Sequence, residues 1–263
     1  MRILMVGDVV GRPGRYFFAE RTPELKHQLK LDVVIVNSEN AAHGKGLTPN
    51  IFAELISGGA DVVTTGNHIW DNSTVLQILD TEPFLLRPAN YPEGAPGKGF
   101  CIYPVGRKKV GVINMAGRIF MQPPMDDPFR LGDKIVAFLK KNCDVILIDF
   151  HAEATSEKLA FAHYLDGQVT AVVGTHTHVQ TADERIFPKG TAYISDAGMT
   201  GGHSGILGVK YESVMPKFID GLPCKFEASE EGAAFNGVIV DVDDDTGLAV
   251  GIERVQVDTE NLT

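Results

Sequence analysis

The sequence lacks several features that would place it in whole classes of protein. It has only three cysteines among 263 residues, and none of them lies in a CxxC pair, so neither a disulfide framework nor a thiolate metal site is predicted. No apolar run approaches the roughly 18 residues that span a bilayer, and the first ten residues predict a strand rather than a secretory signal. These absences favour a cytoplasmic protein that makes no use of a membrane.

Basic residues are also scarce. The chain has 24 Lys and Arg against 34 Asp and Glu, which gives a net charge of −10. A surface of that sign repels a nucleic-acid backbone, so no nucleic-acid polymer is expected as the main ligand, whereas a small nucleotide is compatible with it. The P-loop, the GxGxxG loop and the HExxH motif do not occur, which removes the mechanisms that depend on them.

Apolar runs alternate with segments of helical character along the first two thirds of the chain. The runs predict strands that are buried on both faces, and their order with the helices predicts an α/β fold with a parallel sheet. Two helices are predicted at Tyr16–Leu29 and Pro49–Ser57. The predicted strands are Arg2–Gly7, Asp32–Val36, Asp61–Thr65, Val110–Met115, Asp144–Ile148 and Thr170–Val173.

The C-terminal part predicts antiparallel pairing instead. Gly237–Val242 and Leu248–Val257 flank a turn-rich connector at 243–247, which is typical of a β-hairpin. We therefore expect two packed mixed β-sheets with helices outside, in a single domain over residues 1–263. Segments 84–108 and 116–130 are rich in proline and glycine and are predicted to be long loops.

Side chains that can bind a metal follow almost every predicted strand. Ligands of open α/β sheets bind at the carboxyl ends of the strands, so we expect these side chains to converge on one edge. One such residue alone is more often a turn, cap or core group, but the coincidence over five strands favours a site. The candidate donors are Asp8, Glu39, Asn40, Asn67, His68, His151, His176 and His178.

The donor types indicate which metals would bind. Carboxylates, amides and imidazoles without a cysteine suit Mn, Fe or Zn better than Ca or Mg. So many donors predict two ions about 3.5–4 Å apart that clamp a phosphoryl group, with Glu39 as the bridge. In Thr175–His178 an extended backbone would send His176 and His178 to the same face; a solvated loop is the alternative.

Several short motifs carry a resemblance to a known family. They are GDVVG at 7–11, NSEN at 37–40, TGNHIW at 65–70, DFHAEATSEK at 149–158, GTHTH at 174–178 and GMTG at 198–201. Together they resemble the dinuclear metallophosphoesterase superfamily, and more narrowly its bacterial YmdB-like subfamily. The sequence departs from the wider superfamily at Val10, where Asp-x-His has its histidine, and at Glu39, where the bridging residue is usually aspartate.

The resemblance implies a fold and a metal centre. The fold would be the calcineurin-like, four-layer α/β/β/α sandwich. The cofactors would be two divalent metal ions, Fe or Mn rather than Zn, since amide ligands favour the harder ions. The first ion would be held by Asp8, Glu39, Asn40 and His178, and the second by Glu39, Asn67, His151 and His176.

The resemblance also implies hydrolysis of phosphodiesters, with 2′,3′-cyclic nucleotides as the main substrate class and 3′,5′-cyclic nucleotides as a second. A metal-activated hydroxide would attack phosphorus while His68, as general acid, protonates the leaving alkoxide. We expect Asp8, Asp71 or a backbone carbonyl to hold the His68 ring. A phosphomonoesterase or protein phosphatase using the same metals is an alternative, as is a regulator that senses a nucleotide or metal without turnover. A homo-oligomer is compatible with the sequence.

Two further segments lie close to these motifs. Glu153, Glu157 and Lys158 are expected to orient His151 or to cap the helix that follows it. The segment Gly198–Gly208, which contains His203, is rich in glycine. It would approach a phosphate, gate the site or form a plain flexible turn.

Overall fold

Two mixed β-sheets form the centre of the protein, and the computed structural model describes residues 1–258. Residues 259–263 of the predicted domain lie outside the described residues. The strands are β1 (Arg2–Val6), β2 (Asp8–Val9), β3 (Val33–Asn37), β4 (Val62–Thr64), β5 (Phe100–Val105), β6 (Lys108–Ala116), β7 (Val145–His151), β8 (Ala171–Thr175), β9 (Arg185–Ile186), β10 (Ala192–Ile194), β11 (Met199–Gly202), β12 (Ala233–Val242) and β13 (Ala249–Asp258).

Helices lie between the strands. The α-helices are α1 (Gly11–Gln28), α2 (Pro49–Ser57), α3 (Pro128–Leu139), α4 (Thr155–Tyr164) and α5 (Tyr211–Asp220), and two short 3₁₀ turns cover Ile69–Asp71 and Ser73–Gln77. No helix within residues 1–258 combines the length and the apolar character that crossing a membrane requires.

Each sheet combines parallel and antiparallel neighbours. Within residues 1–258 the first sheet has the order β2-β11-β12-β1-β3-β4, with β13 beside β12. Its β1, β3 and β4 are parallel, and β12 runs antiparallel to both β1 and β13. The second sheet has the order β5-β6-β7-β8-β10-β9, and β6, β7, β8 and β10 are parallel. The predicted strands and the C-terminal hairpin are confirmed.

The alternation of side chains along each strand builds three apolar layers. On β1, Ile3 and Met5 point into the core between the sheets, where they join Val112 of β6 and Leu147 of β7. Leu4 and Val6 point the other way, into a second cluster beneath α1 and α2, and α3 and α4 cover the outer face of the second sheet. Helix, sheet, sheet and helix are therefore stacked in four layers, as expected.

Two segments differ from the predicted loops. Segment 84–108 contains the strand β5, which pairs antiparallel with β6 although it includes Pro104. Proline has no amide hydrogen to donate to a neighbouring strand, and it is tolerated in strands at a sheet edge. Since β5 lies at the edge of its sheet, Pro104 does not interrupt the hydrogen bonds between central strands. Segment 116–130 ends inside α3, which begins at Pro128 after an Asp127 side chain that accepts from the amide of Phe129 at 2.9 Å.

The helix boundaries follow the capping chemistry. For α2, Thr48 Oγ1 accepts from the amide of Ile51 at 3.2 Å and Pro49 occupies the first turn, as predicted. The first helix begins at Gly11 and not at the predicted Tyr16. Its start has no side-chain cap, and Gly11 has a φ of +61°, so the usual signals of a helix start are missing from the sequence.

Asp61 connects elements of both sheets. Its carboxylate accepts from the amide of Val34 at 2.8 Å, from Lys26 of α1 at 2.9 Å and from the hydroxyl of Tyr103 on β5 at 2.8 Å. The Asp61 side chain is only 14% exposed, so each of these hydrogen bonds is partly shielded from water. Burial and the contact with Asp61 raise the pKa of Tyr103 to about 12, which keeps its hydroxyl a donor at neutral pH.

Candidate metal centre

The parallel strands of both sheets deliver metal donors at their carboxyl ends. In the first sheet the donors follow β1, β3 and β4; in the second, one ends β7 and two follow β8. Seven predicted donors meet at this edge, and His68 lies beside them. The seven side chains are Asp8, Glu39, Asn40, Asn67, His151, His176 and His178.

Glu39 belongs to two groups of donor atoms at once. One group contains Glu39, His151 and His176, and the other contains Asp8, Glu39 and His178. Within each group the donor atoms lie within 4.8 Å of one another. A carboxylate shared between two groups is the arrangement that a bridging ligand requires.

The His151 ring directs a lone pair into the first group. The Thr175 hydroxyl donates to Asp149 at 2.7 Å, so Thr175 Oγ1 accepts from Nδ1–H of His151 at 2.9 Å. Nε2 of His151 therefore carries a lone pair, and it faces Glu39 Oε2 at 2.9 Å and Asn67 Oδ1 at 3.2 Å. Burial lowers the pKa of His151 to about 4, so the ring is neutral near pH 7 and cannot bridge these acceptors with a proton. A cation between them would satisfy all three atoms.

His178 repeats this arrangement in the second group. Its Nδ1–H donates to the carbonyl of Leu207 at 3.1 Å, which leaves the lone pair on Nε2. The Asn40 side-chain nitrogen donates to the carbonyl of Gly44 at 2.9 Å, so the side-chain oxygen is the atom that faces His178. Nε2 of His178 lies 3.2 Å from this Oδ1. Burial lowers the pKa of His178, so here too two lone pairs face each other.

The two buried carboxylates of the cluster differ in their electrostatics. Asp8 Oδ2 accepts from the amide of His176 at 3.0 Å, but Oδ1 has no hydrogen-bond partner among residues 1–258. Burial and the nearby charges of Glu39 and Asp196 raise the pKa of Asp8 well above its usual range. Burial raises the pKa of Glu39 as well, whereas the neighbouring imidazoles of His176 and His68 lower it.

Two features of the cluster show that its residues fit a metal ion. One is the Asp8 oxygen without a hydrogen-bond partner among residues 1–258, and the other is the lone pairs of His151 and His178 that face oxygen lone pairs. Desolvated carboxylates and lone pairs that face one another without a hydrogen are destabilising unless a cation lies among them. Nitrogen and oxygen donors without sulfur suit divalent ions of the Mn, Fe and Zn group. The cluster is therefore suited to divalent metal ions.

Gly66 lets the two sheets approach each other at the cluster. A Cβ atom on Gly66 would lie 2.2 Å from Glu39 Oε2 and 2.4 Å from His151 Nε2. No side chain larger than hydrogen fits beside these two donors. The glycine of the Gly-Asn-His motif is thus required by space at the donors themselves.

The extended backbone predicted for Thr175–His178 is wrong. The φ angle of His176 is +97° and that of His178 is +67°, which is the left-handed region that costs most residues about 1–2 kcal/mol. The rings reach the cluster through these turns and not through strand alternation. The strained segment is held by Asp196, which accepts from the amide and the hydroxyl of Thr177 at 2.9 and 2.7 Å.

Asp196 is a site residue that the sequence reasoning missed. It follows β10, so the same strand-end rule that selected the metal donors applies to it. Its partner is Lys158 of α4, whose Nζ lies 2.9 Å from Asp196 Oδ2, and the two side chains are 1–2% exposed. This buried ion pair joins α4 to the turn that carries His176 and His178.

The residues after His151 have other partners than predicted. Glu153 Oε2 lies 3.1 Å from His176 Nε2, so it contacts that histidine and not His151. Glu157 accepts from the backbone amide of Arg118 at 3.0 Å and fixes the loop before α3. With Lys158 paired to Asp196 and no side-chain cap at the start of α4, neither expected role of these residues, orienting His151 or capping the helix, is found. Thr175 orients the His151 ring instead.

His68 lies next to the cluster but outside both donor groups. Its Nδ1 is 3.0 Å from Asp71 Oδ2, and its side chain is 27% exposed. The expectation that Asp71 holds the ring is confirmed. His68 also lines a cavity of about 890 Å³ that begins at Asn40 and His178, so the ring lies between the cluster and the space open to a ligand.

The glycine-rich segment Gly198–Gly208 has two parts. Met199–Gly202 forms β11 and pairs with β2 and β12, so this half is not a loop. In the second half, the carbonyl of Leu207 accepts from His178. His203 stays away from the donors, with Nε2 at 3.2 Å from the carbonyl of Met199.

Known proteins share this fold and sequence along nearly the whole chain. A family profile described as YmdB-like protein matches residues 4–255. The chain is 52% identical over 262 residues to a 2′,3′-cyclic-nucleotide 2′-phosphodiesterase of Bacillus subtilis (strain 168), covering 100% of this chain and 99% of that relative.

Two solved structures agree closely with this one. A hypothetical protein from Thermus thermophilus superposes with a TM-score of 0.92 at 42% identity, covering 98% of this chain and 99% of its own. A protein from Mycoplasma pneumoniae described as a novel phosphatase superposes with a TM-score of 0.93 at 36% identity, covering 98% and 93%.

Proposed function

Because the chain belongs to the YmdB-like family of metallophosphoesterases, we propose that it hydrolyses 2′,3′-cyclic nucleotides to nucleoside 3′-phosphates with the help of two divalent metal ions. The observation that carries this proposal is the sharing of Glu39 between two groups of buried donors beside an open cavity. The B. subtilis relative, which is 52% identical, carries the name of this activity. The substrate is a small molecule, in agreement with the net charge of −10.

The donor groups suggest how the two ions would be held. We assign Asp8, Glu39, Asn40 and His178 to the first ion and Glu39, Asn67, His151 and His176 to the second. Bound there, two divalent ions supply Lewis acidity, which neutralises charge on the phosphate oxygens and lowers the pKa of a water molecule. Each set includes an amide oxygen, so Fe or Mn is favoured over Zn.

The protein residues fix the ligand orientations and supply the proton. Thr175 and Leu207 select the tautomers of His151 and His178, so each ring presents Nε2 to the cluster. Glu153, at 3.1 Å from His176 Nε2, leaves Nδ1 of that ring for the cluster. Such contacts behind the ligands typically change metal affinity about 10–100-fold.

His68 is the proposed general acid. As the oxygen of water bonds to phosphorus, the P–O2′ bond breaks, and the 2′-alkoxide takes a proton from His68. The Nδ1 atom of His68 is engaged by Asp71, so Nε2 is the nitrogen that serves the substrate, and Asp71 orients the ring for that transfer. Product release as a 3′-phosphate then leaves His68 to be reprotonated from solvent.

The proposal is tested with purified protein loaded with Mn(II), or with Fe(II) under anaerobic conditions. Adenosine 2′,3′-cyclic phosphate, adenosine 3′,5′-cyclic phosphate and adenosine 3′-phosphate are incubated separately, and the products are separated by chromatography. We expect the 2′,3′-cyclic substrate to give adenosine 3′-phosphate alone. His68→Ala should lower kcat by roughly 10²–10⁴ while metal content stays unchanged.

A matched control is His163→Ala, because that ring stacks on Phe187, the residue after β9, with 4.2 Å between the ring centres, and lies outside the cluster. Efficient turnover of the monoester instead of the diester would indicate a phosphomonoesterase or protein phosphatase. Tight metal binding with no turnover of any substrate would favour the sensing regulator. Loss of metal in the His68 variant would show that His68 is a ligand, not the acid.

A further inference from the structure

The cavity beside His68 extends well beyond the space that a cyclic phosphate needs. Its volume of about 890 Å³ is near the upper end of the about 300–1,000 Å³ that small-molecule sites occupy. One end is formed by Asn40, His68 and His178 of the metal centre, and the other by residues of α5 and of segment 221–228. A substrate held at the metals would therefore place its remaining atoms in this space.

The cavity is lined by positively charged side chains, against the overall charge of the chain. Three lysines line it, Lys45, Lys217 and Lys225, together with a single carboxylate among residues 1–258, Glu227. Glu227 is paired with Lys210 at 3.2 Å, and the three lysines have no salt-bridge partner within residues 1–258. In a chain with a net charge of −10, unpaired lysines gathered around one cavity indicate an anionic ligand group.

The cavity also has an apolar wall next to these lysines. Leu207, Leu222 and Phe226 line it, and Nζ of Lys217 lies 5.3 Å from the centre of the Phe226 ring. An aromatic ring with a cation beside it offers a stacking surface for a base and a charge for a phosphate. Lys217 and Lys225 thus share the end formed by α5 and segment 221–228 with Leu222 and Phe226.

A second, smaller cavity adjoins the first and shares Asn40, His68, His178 and Phe226 with it, but its charged lining is acidic. It measures about 370 Å³ and is lined by the carboxylates Glu39 and Glu153 and by apolar residues such as Val214 and Phe218, with no lysine or arginine among residues 1–258. A second anionic group would be repelled there. The larger cavity is therefore the one that suits the nucleoside part of the substrate.

Resting on the proposed function, we propose that the larger cavity binds a second phosphate, the one on O5′ of the nucleotide whose cyclic phosphate lies at the metals. Lys45, Lys217 and Lys225 contact this phosphate, and Phe226 and Leu222 pack against the base. The preferred substrates are then 2′,3′-cyclic nucleotides that carry a 5′-phosphate, either free or as the linkage at the 3′ end of a short RNA.

Binding of reaction products tests this subsite without relying on turnover. The protein loaded with Mn(II) is titrated with adenosine 3′-phosphate, with adenosine 3′,5′-bisphosphate and with the dinucleotide ApAp, and the Kd values are measured by calorimetry. Exposed charge pairs each contribute little, so we expect two or three of them together to tighten binding of the 5′-phosphate about tenfold, which corresponds to about 1.4 kcal/mol. The dinucleotide distinguishes a free 5′-phosphate from the linkage of a short RNA, because the phosphate on O5′ of its 3′-terminal nucleoside is a diester.

The triple variant Lys45→Gln/Lys217→Gln/Lys225→Gln should reduce the ratio of the two mononucleotide Kd values to about one. The control is Lys134→Gln, an exposed lysine of α3, the helix that covers the second sheet. This variant should keep the ratio of Kd values measured for the unmodified protein. A ratio near one in the unmodified protein, or a tenfold ratio kept by the triple variant, would overturn the inference. Absence of turnover of adenosine 2′,3′-cyclic phosphate would instead count against the proposed function, whatever the binding ratio.

Discussion

Replacing Gly66 by alanine should abolish metal binding while leaving the protein folded. The added Cβ would lie 2.2 Å from Glu39 Oε2 and 2.4 Å from His151 Nε2, whereas carbon contacts are normally about 3.5 Å, so both donors must move by about 1 Å. Metal–ligand distances tolerate only about ±0.2 Å. Two of the proposed ligands of one ion are displaced together, and one of them is shared with the other ion. We therefore expect metal affinity to fall at least 10²-fold, about 3 kcal/mol.

The assay separates loss of the site from loss of the fold. Mn(II) binding is measured by calorimetry and metal content by mass spectrometry, and unfolding by urea is followed in the presence of a chelator. The clash itself should cost about 1–3 kcal/mol of stability, which a folded domain of this size tolerates.

Gly106→Ala is the control for a glycine substitution as such. A Cβ there meets nothing within 4 Å, and the φ of +58° means that alanine costs about 1–2 kcal/mol of stability without touching the cluster. Metal binding should stay at the level of the unmodified protein. If Gly66→Ala also bound metal with unchanged affinity, the ions could not lie between Glu39 and His151, and the reasoning from the opposed lone pairs would be refuted.

Three further predictions concern stability and reactivity. Lys158→Met leaves the buried Asp196 without its ion-pair partner and should cost about 3–5 kcal/mol in urea unfolding; adding Asp196→Asn should recover part of it, and no recovery would argue against the ion pair as the cause. Asp61→Ala removes three hydrogen bonds and should cost about 2–3 kcal/mol with kcat unchanged, so a changed kcat would show that the effect reaches the site. Burial raises the pKa of the Cys101 thiol to about 12. At pH 8 the fraction of Cys101 present as thiolate is therefore about 10⁻⁴, and it increases as the pH rises. Iodoacetamide should therefore label Cys101 at least 10²-fold more slowly than Cys224, measured by mass spectrometry, until the protein is denatured; equal rates would contradict its burial.

The fold was predictable wherever one local signal decided the structure. The strands at the centre of both sheets are continuous apolar runs because both of their faces are covered, and such runs are visible in a sequence. The strand β5 was missed because Pro104 is typical of a loop unless the strand lies at a sheet edge, and edge position is a property of the assembled sheet. The start of α1 at Gly11 was missed for a similar reason, since its first turn carries no capping side chain.

The convergence of the candidate metal donors was predictable because the strand-end rule links sequence order to a place in space. All seven donors are brought together at one edge, although the two sheets supply them from opposite sides of the core. Asp196 satisfied the same rule after β10 and was overlooked because β10 itself has only three residues. The pairing of Glu153 with His176 could not be predicted, since it depends on the left-handed turn at His176, which no residue type specifies.

The shared position of Glu39 has a consequence for the two proposed metal sites. Apart from Glu39, the first set of donors brings the carboxylate of Asp8 and one imidazole, His178, whereas the second brings two imidazoles and no further carboxylate. The first set is therefore the harder and more anionic site, and its unpartnered Asp8 oxygen gives it the greater need of a cation. Because Glu39 belongs to both sets, ordering of its carboxylate for one ion also orders it for the other, so we expect the two proposed ions to bind with positive coupling.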